Sequence, residues 1–362
     1  MFPKALGRPG FRLRSRIISR KCINFPLTVI NHGNTPPPSC FPPGDYNIIK
    51  QIKREYFFMD NKMDFPVPIV KEGAPRNIVF ESPHQSKGVP AALHHHEKLM
   101  DVASRRCDTH IDLVADYVLG KVGGTLLYSP ISRMVVDLNR GADRVDSRVC
   151  PTWPGAKVYE DGGVIVPMAK QGGRVEKIYD RPLAEEEVES RLTQYWYPYH
   201  EALQKKVNGT AQRFGHAILL SLHSAHPFER HAKQTKKPII YLGTHNGSTC
   251  DGAVLSLLRS TLESRGVCVI DEDDYQGAFT TQAYGKDRNV HAIQIEMDRR
   301  FLDYDHTTET LGPKAIQTLD GLVQGLLAVS IAGVRPPAPS RARRMGSTRT
   351  YVDPLTGEIQ PF

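Results

Sequence analysis

The chain has 362 residues, of which 40% are hydrophobic and 24% are charged, which is enough to build one large domain or two smaller ones. No stretch approaches the roughly 18 consecutive apolar residues that a membrane-spanning helix needs, so the sequence predicts a soluble protein with no membrane partner. The six cysteines are scattered without a Cys-x-x-Cys pair. This pattern argues against a structural zinc knuckle and a dense disulfide scaffold, and it favours a reducing compartment.

The net charge of +8 belongs to the two ends of the chain. Residues 1–44 carry +7 and residues 335–362 carry +3, which leaves −2 for the body between them. The body therefore predicts no nucleic-acid partner. The basic, proline-rich residues 1–44 have the composition of a mitochondrial transit peptide, and residues 335–362 are typical of a disordered tail. We expect one folded domain at residues 45–334 of a mitochondrial or cytoplasmic protein that is not secreted.

The first half of the body alternates short apolar runs with longer amphipathic runs. It predicts a strand at 77–82, a helix at 112–122, strands at 124–130 and 133–139, and a long helix at 184–207. Pro198 must kink or divide that long helix, because proline cannot donate the backbone hydrogen bond that a helix interior requires.

The second half continues the alternation. It predicts strands at 216–224, 237–244, 267–273 and 291–298, and helices at 251–266 and 315–334. Asp251 can cap the first of these helices and Gly266 can end it. Strands that alternate with helices predict an α/β fold, here a single αβα sandwich with a mixed, mostly parallel sheet.

Polar side chains stand at the ends of these predicted strands or inside them. His84 follows the strand at 77–82, His223 lies near the end of the strand at 216–224, and Glu296 interrupts an apolar strand. Such histidines are often only structural, but burying an unpaired carboxylate is costly. A catalytic zinc needs three nitrogen or oxygen ligands and a separate carboxylate to accept a proton from water. Arg133 and Arg140, around the segment 133–139, could hold an anionic substrate.

Several segments resemble, in order, those of the N-formylglutamate amidohydrolases, zinc hydrolases that release formate from N-formyl-L-glutamate. SRMVVDLNR at 132–140 is the most specific match. The other matching segments are SPHQSKGVP (82–90), DTHIDLVADYV (108–118), YWYPYHEAL (195–203), LHS (222–224), YLGTHNGSTCD (241–251), GAFTTQAYG (277–285) and VHAIQIEMDR (290–299). The resemblance covers about residues 76–310.

The resemblance implies a phosphorylase/hydrolase-like αβα fold, similar to zinc exopeptidases, with one Zn²⁺ per chain. By this resemblance, His84, Asp112 and His223 would hold the zinc. Asp112 is preferred to Asp108 because its sequence context better matches the start of the family's acidic helix. Glu296 would be the catalytic general base and later the proton donor.

The same resemblance assigns the substrate-binding residues. Asn139 and Arg140 would bind a substrate carboxylate, and the catalytic residue Arg133 would hold the substrate or polarise the scissile carbonyl. The implied reaction is attack of activated water on the amide of a small N-acyl amino acid, with N-formyl-L-glutamate the first choice. Zinc and arginine would stabilise the oxyanion.

The chain departs from the family pattern at several positions. The family's His-Ser-Gly is His-Gln-Ser at 84–86, its acid two residues before the second histidine is Ser221, and in the segment at 277–285 its arginine is Gln282. Loss of that arginine leaves the exact substrate open. The alternatives are a carboxypeptidase-like or aspartoacylase-like metallohydrolase with another substrate, and a binding protein without catalysis on the same fold.

Three consecutive histidines at 94–96 invite a second metal site. On a helix, their side chains would point about 100° apart and would not converge on one ion. We therefore expect no shared metal there.

Overall fold

The computed structural model describes residues 67–171, 174–271, 275–285, 289–307 and 309–332, together with the backbone at 350–352 and 359–361. The predicted extension at 1–44 lies outside these residues, as does most of the predicted tail at 335–362. Among the described helices, none is long and apolar enough to cross a bilayer.

The strands are numbered in chain order. They are β1 (Ile69–Glu72), β2 (Ile78–Ser82), β3 (Thr125–Tyr128), β4 (Met168–Gln171), β5 (Arg174–Lys177), β6 (Ala217–Ala225), β7 (Ile239–Gly243), β8 (Cys268–Asp271), β9 (Val290–Asp298), β10 (Tyr304–Asp305), β11 (Thr310–Leu311), β12 (Thr350–Val352) and β13 (Ile359–Pro361). Seven of them form the central sheet, in the order β1-β3-β2-β6-β9-β7-β8. The other six form three separate antiparallel pairs, β4 with β5, β10 with β11 and β12 with β13.

The central sheet is mixed and mostly parallel, as predicted. Strands β3, β2, β6 and β9 run in one direction, so their carboxyl ends meet at one edge. Strand β7 runs antiparallel to β9, and β1 runs antiparallel to β3. Three of the parallel strands, β2, β6 and β9, therefore bring their last residues to a common edge of the sheet.

The helices are α1 (Glu97–Arg105), α2 (Ile111–Val122), α3 (Glu185–Arg191), α4 (Tyr197–Phe214), α5 (Glu229–Gln234), α6 (Gly252–Ser264), α7 (Phe279–Tyr284) and α8 (Pro313–Ile331). Short 3₁₀ turns lie at Ala91–Leu93 and Arg299–Phe301, and a π-helical turn at Leu192–Trp196 joins α3 to α4. As predicted, Asp251 caps α6 by accepting a hydrogen bond from Ala253 N at 2.7 Å. Gly266 follows α6 with a φ of +82°, where glycine is favoured.

Two apolar clusters cover the two faces of the sheet. On β2, Val79 belongs to one cluster, while Ile78 and Phe80 belong to the other, because successive strand residues point to opposite faces. Helices α1, α3 and α4 pack in the first cluster, and α2, α6 and α8 pack in the second. The predicted αβα sandwich is confirmed.

Two predicted elements differ from the structure. The strand predicted at 133–139 is a series of turns, with Asp137 N donating to Val164 O at 2.7 Å. Its apolar residues are nevertheless buried, because a covered loop buries side chains as well as a strand does. The long helix predicted at 184–207 is divided as expected, with Pro198 in the first turn of α4, but it continues to Phe214.

Candidate active site

The parallel strands bring three polar side chains to one edge of the sheet. His84 lies two residues beyond β2, and His223 and Glu296 are Cα partners on β6 and β9. All three are buried, with exposures of 2%, 2% and 8%. The sequence separates these residues widely, and the sheet brings them together.

His84, Asp108 and His223 form a compact group whose ligand atoms lie within 4.8 Å of one another. Asp108 Oδ2 lies 2.9 Å from His223 Nδ1 and 3.9 Å from His84 Nδ1. Among the described residues, His84 Nδ1 is buried without a hydrogen-bond partner. Two imidazole nitrogens and one carboxylate are a donor set that suits zinc and similar divalent metals, so this group fits a metal ion.

The acidic member of the group is Asp108, which corrects the preference for Asp112. Asp112 is exposed in the first turn of α2, whereas Asp108 is 8% exposed. Helix α2 begins at Ile111, after His110 in a left-handed conformation with φ of 55°. Asp108 N donates to His84 O at 2.9 Å. The loop ahead of the helix, rather than its first turn, therefore faces the two histidines.

Asp137 orients His84 from the other side of the ring. Its Oδ1 lies 2.7 Å from His84 Nε2, and its Oδ2 accepts a hydrogen bond from Arg133 at 2.6 Å. Burial disfavours the Asp137 carboxylate, but Arg133 and His84 hold its pKa well below the usual value. Burial lowers the pKa of His84 to about 4. His84 is therefore neutral at pH 7, which is the form that binds a metal.

The His223 ring is also held at both nitrogens. Burial disfavours its charged form, but the hydrogen bond from Nδ1 to Asp108 raises its pKa. Nε2 lies 2.9 Å from Ser221 Oγ and 3.2 Å from Asn139 Nδ2. Asn139 is 2% exposed, and its Oδ1 accepts a hydrogen bond from Thr280 N at 3.0 Å. The Asn139 amide thus helps to hold the His223 ring in place, and it also lines the cavity.

A cavity of about 540 Å³ opens over these residues. Its charged lining residues are Arg133, Arg140, Arg144, Arg299, Asp108, Asp161 and Glu296. Arg140 Nε lies 2.8 Å from Asp161 Oδ2, and Arg144 donates to Asp161 Oδ1 at 3.0 Å. An acidic side chain of the protein therefore pairs with two arginines that face the cavity.

Glu296 has the environment of a proton acceptor. Burial raises its pKa to about 7, against the opposing charges of His223 and Arg133. Gln294 Nε2 donates to Glu296 Oε1 at 3.1 Å. A buried carboxyl group whose pKa lies near neutrality suits general acid–base catalysis.

The sequence did not single out three residues of this site: Asp137, Asp161 and Gln294. Asp137 lies inside the specific segment SRMVVDLNR, and its acidity within an apolar run was a usable signal. Gln294 lies two residues before Glu296 and so faces the same side of β9. Nothing in the local sequence indicates that Asp161 reaches Arg140.

The histidines at 94–96 do not lie on the helix that the sequence analysis assumed, and the expectation that they share no metal stays a prediction. They lie between the 3₁₀ turn and α1 rather than on a helix, and His95, His96 and Glu187 offer ligand atoms within 4.8 Å of one another. Glu187 accepts a hydrogen bond from Arg191, and His96 Nε2 lies 2.9 Å from Glu187 Oε1. Of the three histidines, His96 contacts the Glu187 carboxylate, which is also paired with the buried Arg191.

Hydrolysis of an amide requires a group that activates water and a separate proton acceptor, and the cavity supplies residues suited to both. The fold and the site therefore define the class of protein as a hydrolase of amide bonds. The sequence profile of the N-formylglutamate amidohydrolases matches residues 76–302, and the chain belongs to this family.

Individual relatives agree with this assignment. The chain is 29% identical over 194 residues to an N-formylglutamate deformylase of Pseudomonas putida, covering 52% of this chain and 68% of the relative. It is 28% identical over 200 residues to the enzyme of that name from Pseudomonas aeruginosa, with the same coverage. The crystal structure of an N-formylglutamate amidohydrolase from Ralstonia eutropha superposes with a TM-score of 0.60 at 27% identity, covering 73% of this chain and 96% of that one.

Proposed function

We propose that this chain is a metal-dependent amidohydrolase that converts N-formyl-L-glutamate and water into L-glutamate and formate. The observation that carries the proposal is the group of His84, Asp108 and His223, with the buried, unpartnered His84 Nδ1 beside the Asp108 carboxylate. The names of the relatives support the choice of substrate.

His84, Asp108 and His223 would hold one Zn²⁺ per chain. When bound, zinc would polarise the amide carbonyl and lower the pKa of water. The neutral state of His84 and the low pKa of the Asp108 carboxyl favour this role, because both ligands are then already deprotonated.

Glu296 would act first as the general base and then as the general acid. It accepts a proton from the attacking water as the carbon–oxygen bond forms, and it passes this proton to the amide nitrogen as the carbon–nitrogen bond breaks. A pKa raised by burial suits both steps, because the same carboxyl must accept and then donate near neutral pH. Glutamate leaves with its free amine, and formate takes the water oxygen.

Arg133 would stabilise the negative charge that develops on the carbonyl oxygen. Asp137 holds one of its terminal nitrogens at 2.6 Å, and the other lies 3.9 Å from Asp108 Oδ1. These two carboxylates fix the guanidinium beside the proposed metal ligands. An arginine fixed in advance loses little freedom when charge develops.

The substrate carboxylates would bind at Asn139 and Arg140, with Arg144 close by. Arg140 is paired with Asp161, so an incoming carboxylate must share or displace that partner. This pairing favours a second candidate: an N-acyl amino acid with a less acidic side chain. Both candidates use the same bond cleavage and the same His84, Asp108 and His223.

Two measurements test the proposal. Protein purified without chelators should carry stoichiometric zinc or another divalent metal, and a trace amount only would count heavily against it. Hydrolysis rates should then be compared for N-formylglutamate, N-formylglutamine, N-formylleucine and N-acetylglutamate. The highest kcat/KM is expected for N-formylglutamate. Equal rates for the glutamate and glutamine derivatives would exclude recognition of the side-chain carboxylate. If metal-loaded protein hydrolysed none of these compounds, the alternative of a binding protein without catalysis would be favoured.

A further inference from the structure

A second buried carboxylate lies beside His223 on a neighbouring strand. Glu81, on β2, is the Cα partner of Ser221 on the parallel strand β6, and it is 0% exposed. Its Oε1 accepts a hydrogen bond from Ser221 Oγ at 2.6 Å, and its Oε2 accepts one from the Tyr199 hydroxyl at 2.8 Å. The mechanism described above gives Glu81 no part.

Ser221 connects Glu81 to the imidazole of His223. Ser221 Oγ lies 2.9 Å from His223 Nε2, while His223 Nδ1 faces Asp108. A neutral histidine that binds a metal through Nδ1 carries its proton on Nε2. The Nε2–H group then donates to Ser221 Oγ, and the Ser221 hydroxyl donates to Glu81. Both hydrogen bonds, from His223 to Ser221 and from Ser221 to Glu81, are thus donated in the direction of the Glu81 carboxylate.

The neighbouring amide is compatible with this arrangement. Asn139 Nδ2 lies 3.2 Å from His223 Nε2 and also 3.2 Å from Gln294 Oε1. When Nε2 carries a proton, the Asn139 amide can donate to Gln294 instead. Glu81 keeps two donors, from Ser221 and Tyr199, so the buried carboxylate remains hydrogen-bonded.

We propose that Glu81, acting through Ser221, is a positioning residue that fixes the orientation and the Nε2–H tautomer of His223. The inference rests on the proposed function, since it takes His223 Nδ1 to be a metal ligand. Outer partners of this kind typically change metal affinity by about 10–100-fold when they are removed.

The test measures Zn²⁺ affinity by competition with a chromophoric chelator in the full chain. E81Q and S221A should each weaken Zn²⁺ binding by about 10–100-fold. The double variant E81Q/S221A should bind no more weakly than S221A alone, because both changes break the same connection. The swap E81S/S221D, which places the acid next to His223 directly, should recover most of the affinity lost in E81Q.

Y199F is the matched control. It removes the other hydrogen bond to Glu81 and leaves the contact through Ser221 intact, so it should lower thermal stability while Zn²⁺ affinity stays near that of the wild type. Wild-type Zn²⁺ affinity in both E81Q and S221A, with only a lower melting temperature, would overturn the proposal. An equal loss of affinity in Y199F and S221A would overturn it too.

A second readout separates this inference from the proposed function. Nitrogen-15 shifts of the His223 ring report which nitrogen carries the proton. They are measured by NMR in metal-free D108N protein, where no carboxylate competes for a proton on Nδ1, at a pH where the ring is neutral. S221A and E81Q should lower the fraction of the Nε2–H tautomer, and an unchanged tautomer would reject the role of Glu81. If wild-type protein bound no Zn²⁺, the proposed function would fail, while the tautomer measurement would still decide whether Glu81 acts on His223.

Discussion

Asp108 Oδ2 lies 2.9 Å from His223 Nδ1, although 115 residues separate the two along the chain. Asp112, about one helical turn beyond Asp108, is exposed.

D108N should reduce Zn²⁺ affinity by at least about 100-fold, because it removes a charged ligand from a buried site. D112N removes the same charge nearby and should bind Zn²⁺ like the wild type. Chelator competition on both variants checks this, and an equal loss in D112N would restore the aspartate preferred from the sequence.

E296Q should keep its metal and lose turnover by orders of magnitude, at least the roughly 10²-fold that a general base contributes. Glutamine has the same shape as glutamate but cannot accept the proton. Because the base must be ionised, wild-type kcat/KM should rise with pH. The apparent pKa of this rise should lie above the usual glutamate pKa of 4.5, because burial raises the pKa of Glu296. Metal content and a pH–rate profile check both points. Wild-type turnover with normal zinc content would exclude Glu296 as the base.

D161N should lower KM for N-formylglutamate about fivefold. This factor corresponds to the free energy that a partly exposed ion pair typically contributes. The change frees Arg140 and Arg144 from their internal partner, so a substrate carboxylate no longer has to compete with Asp161. KM for N-formylglutamine should change less. D143N is the matched control, since Asp143 is an exposed carboxylate nearby that is not among the cavity-lining residues. The same shift for both substrates would show that Asp161 does not compete with the side-chain acid.

His200 should make the protein less stable in acid. Burial lowers its pKa to about 3, and Nε2 lies 2.9 Å from Leu138 O. In the unfolded chain it binds a proton near its ordinary pKa of about 6.5, so the stabilisation is complete above that pH and is lost as the pH falls. At pH 5 the loss from this residue is about 2 kcal/mol.

H200Q removes this titration and keeps a side chain that can donate to Leu138 O. Urea unfolding at pH 7 and pH 5 measures the difference in the free energy of unfolding for each protein. The drop should be about 2 kcal/mol smaller in H200Q than in the wild type. An identical drop in both would mean that His200 is not held neutral by burial.

Sequence patterns predicted the sheet well because each parallel strand is an apolar run between helices. The convergence of His84, His223 and Glu296 followed from the same patterns, since strand order and direction bring strand ends together. The choice between Asp108 and Asp112 could not be made this way. Which turn of a loop faces a site depends on its backbone conformation, here the left-handed His110, and no periodic pattern encodes it.

The segment 133–139 forms turns instead of the predicted strand for a related reason. A short apolar run indicates burial, but a loop enclosed between helices and the sheet meets the same requirement. What distinguishes the loop is its set of side-chain bonds, such as Asn139 N to Asp137 Oδ1 at 2.9 Å. These contacts are made with distant parts of the fold, or within turns whose geometry depends on that fold.

The π-helical turn at Leu192–Trp196 sets the phase of α4. At the last residue of the turn, Trp196 Nε1 donates to Arg140 O at 2.8 Å, and beyond the turn Tyr199 reaches Glu81 and His200 reaches Leu138 O. Deleting one residue from this turn would restore an ordinary α-helix and rotate all that follows by about 100°. Every one of these contacts would then be lost together. The length of this segment is therefore under stricter constraint than the identity of most of its residues, and single-residue insertions or deletions should be far less tolerated here than conservative substitutions.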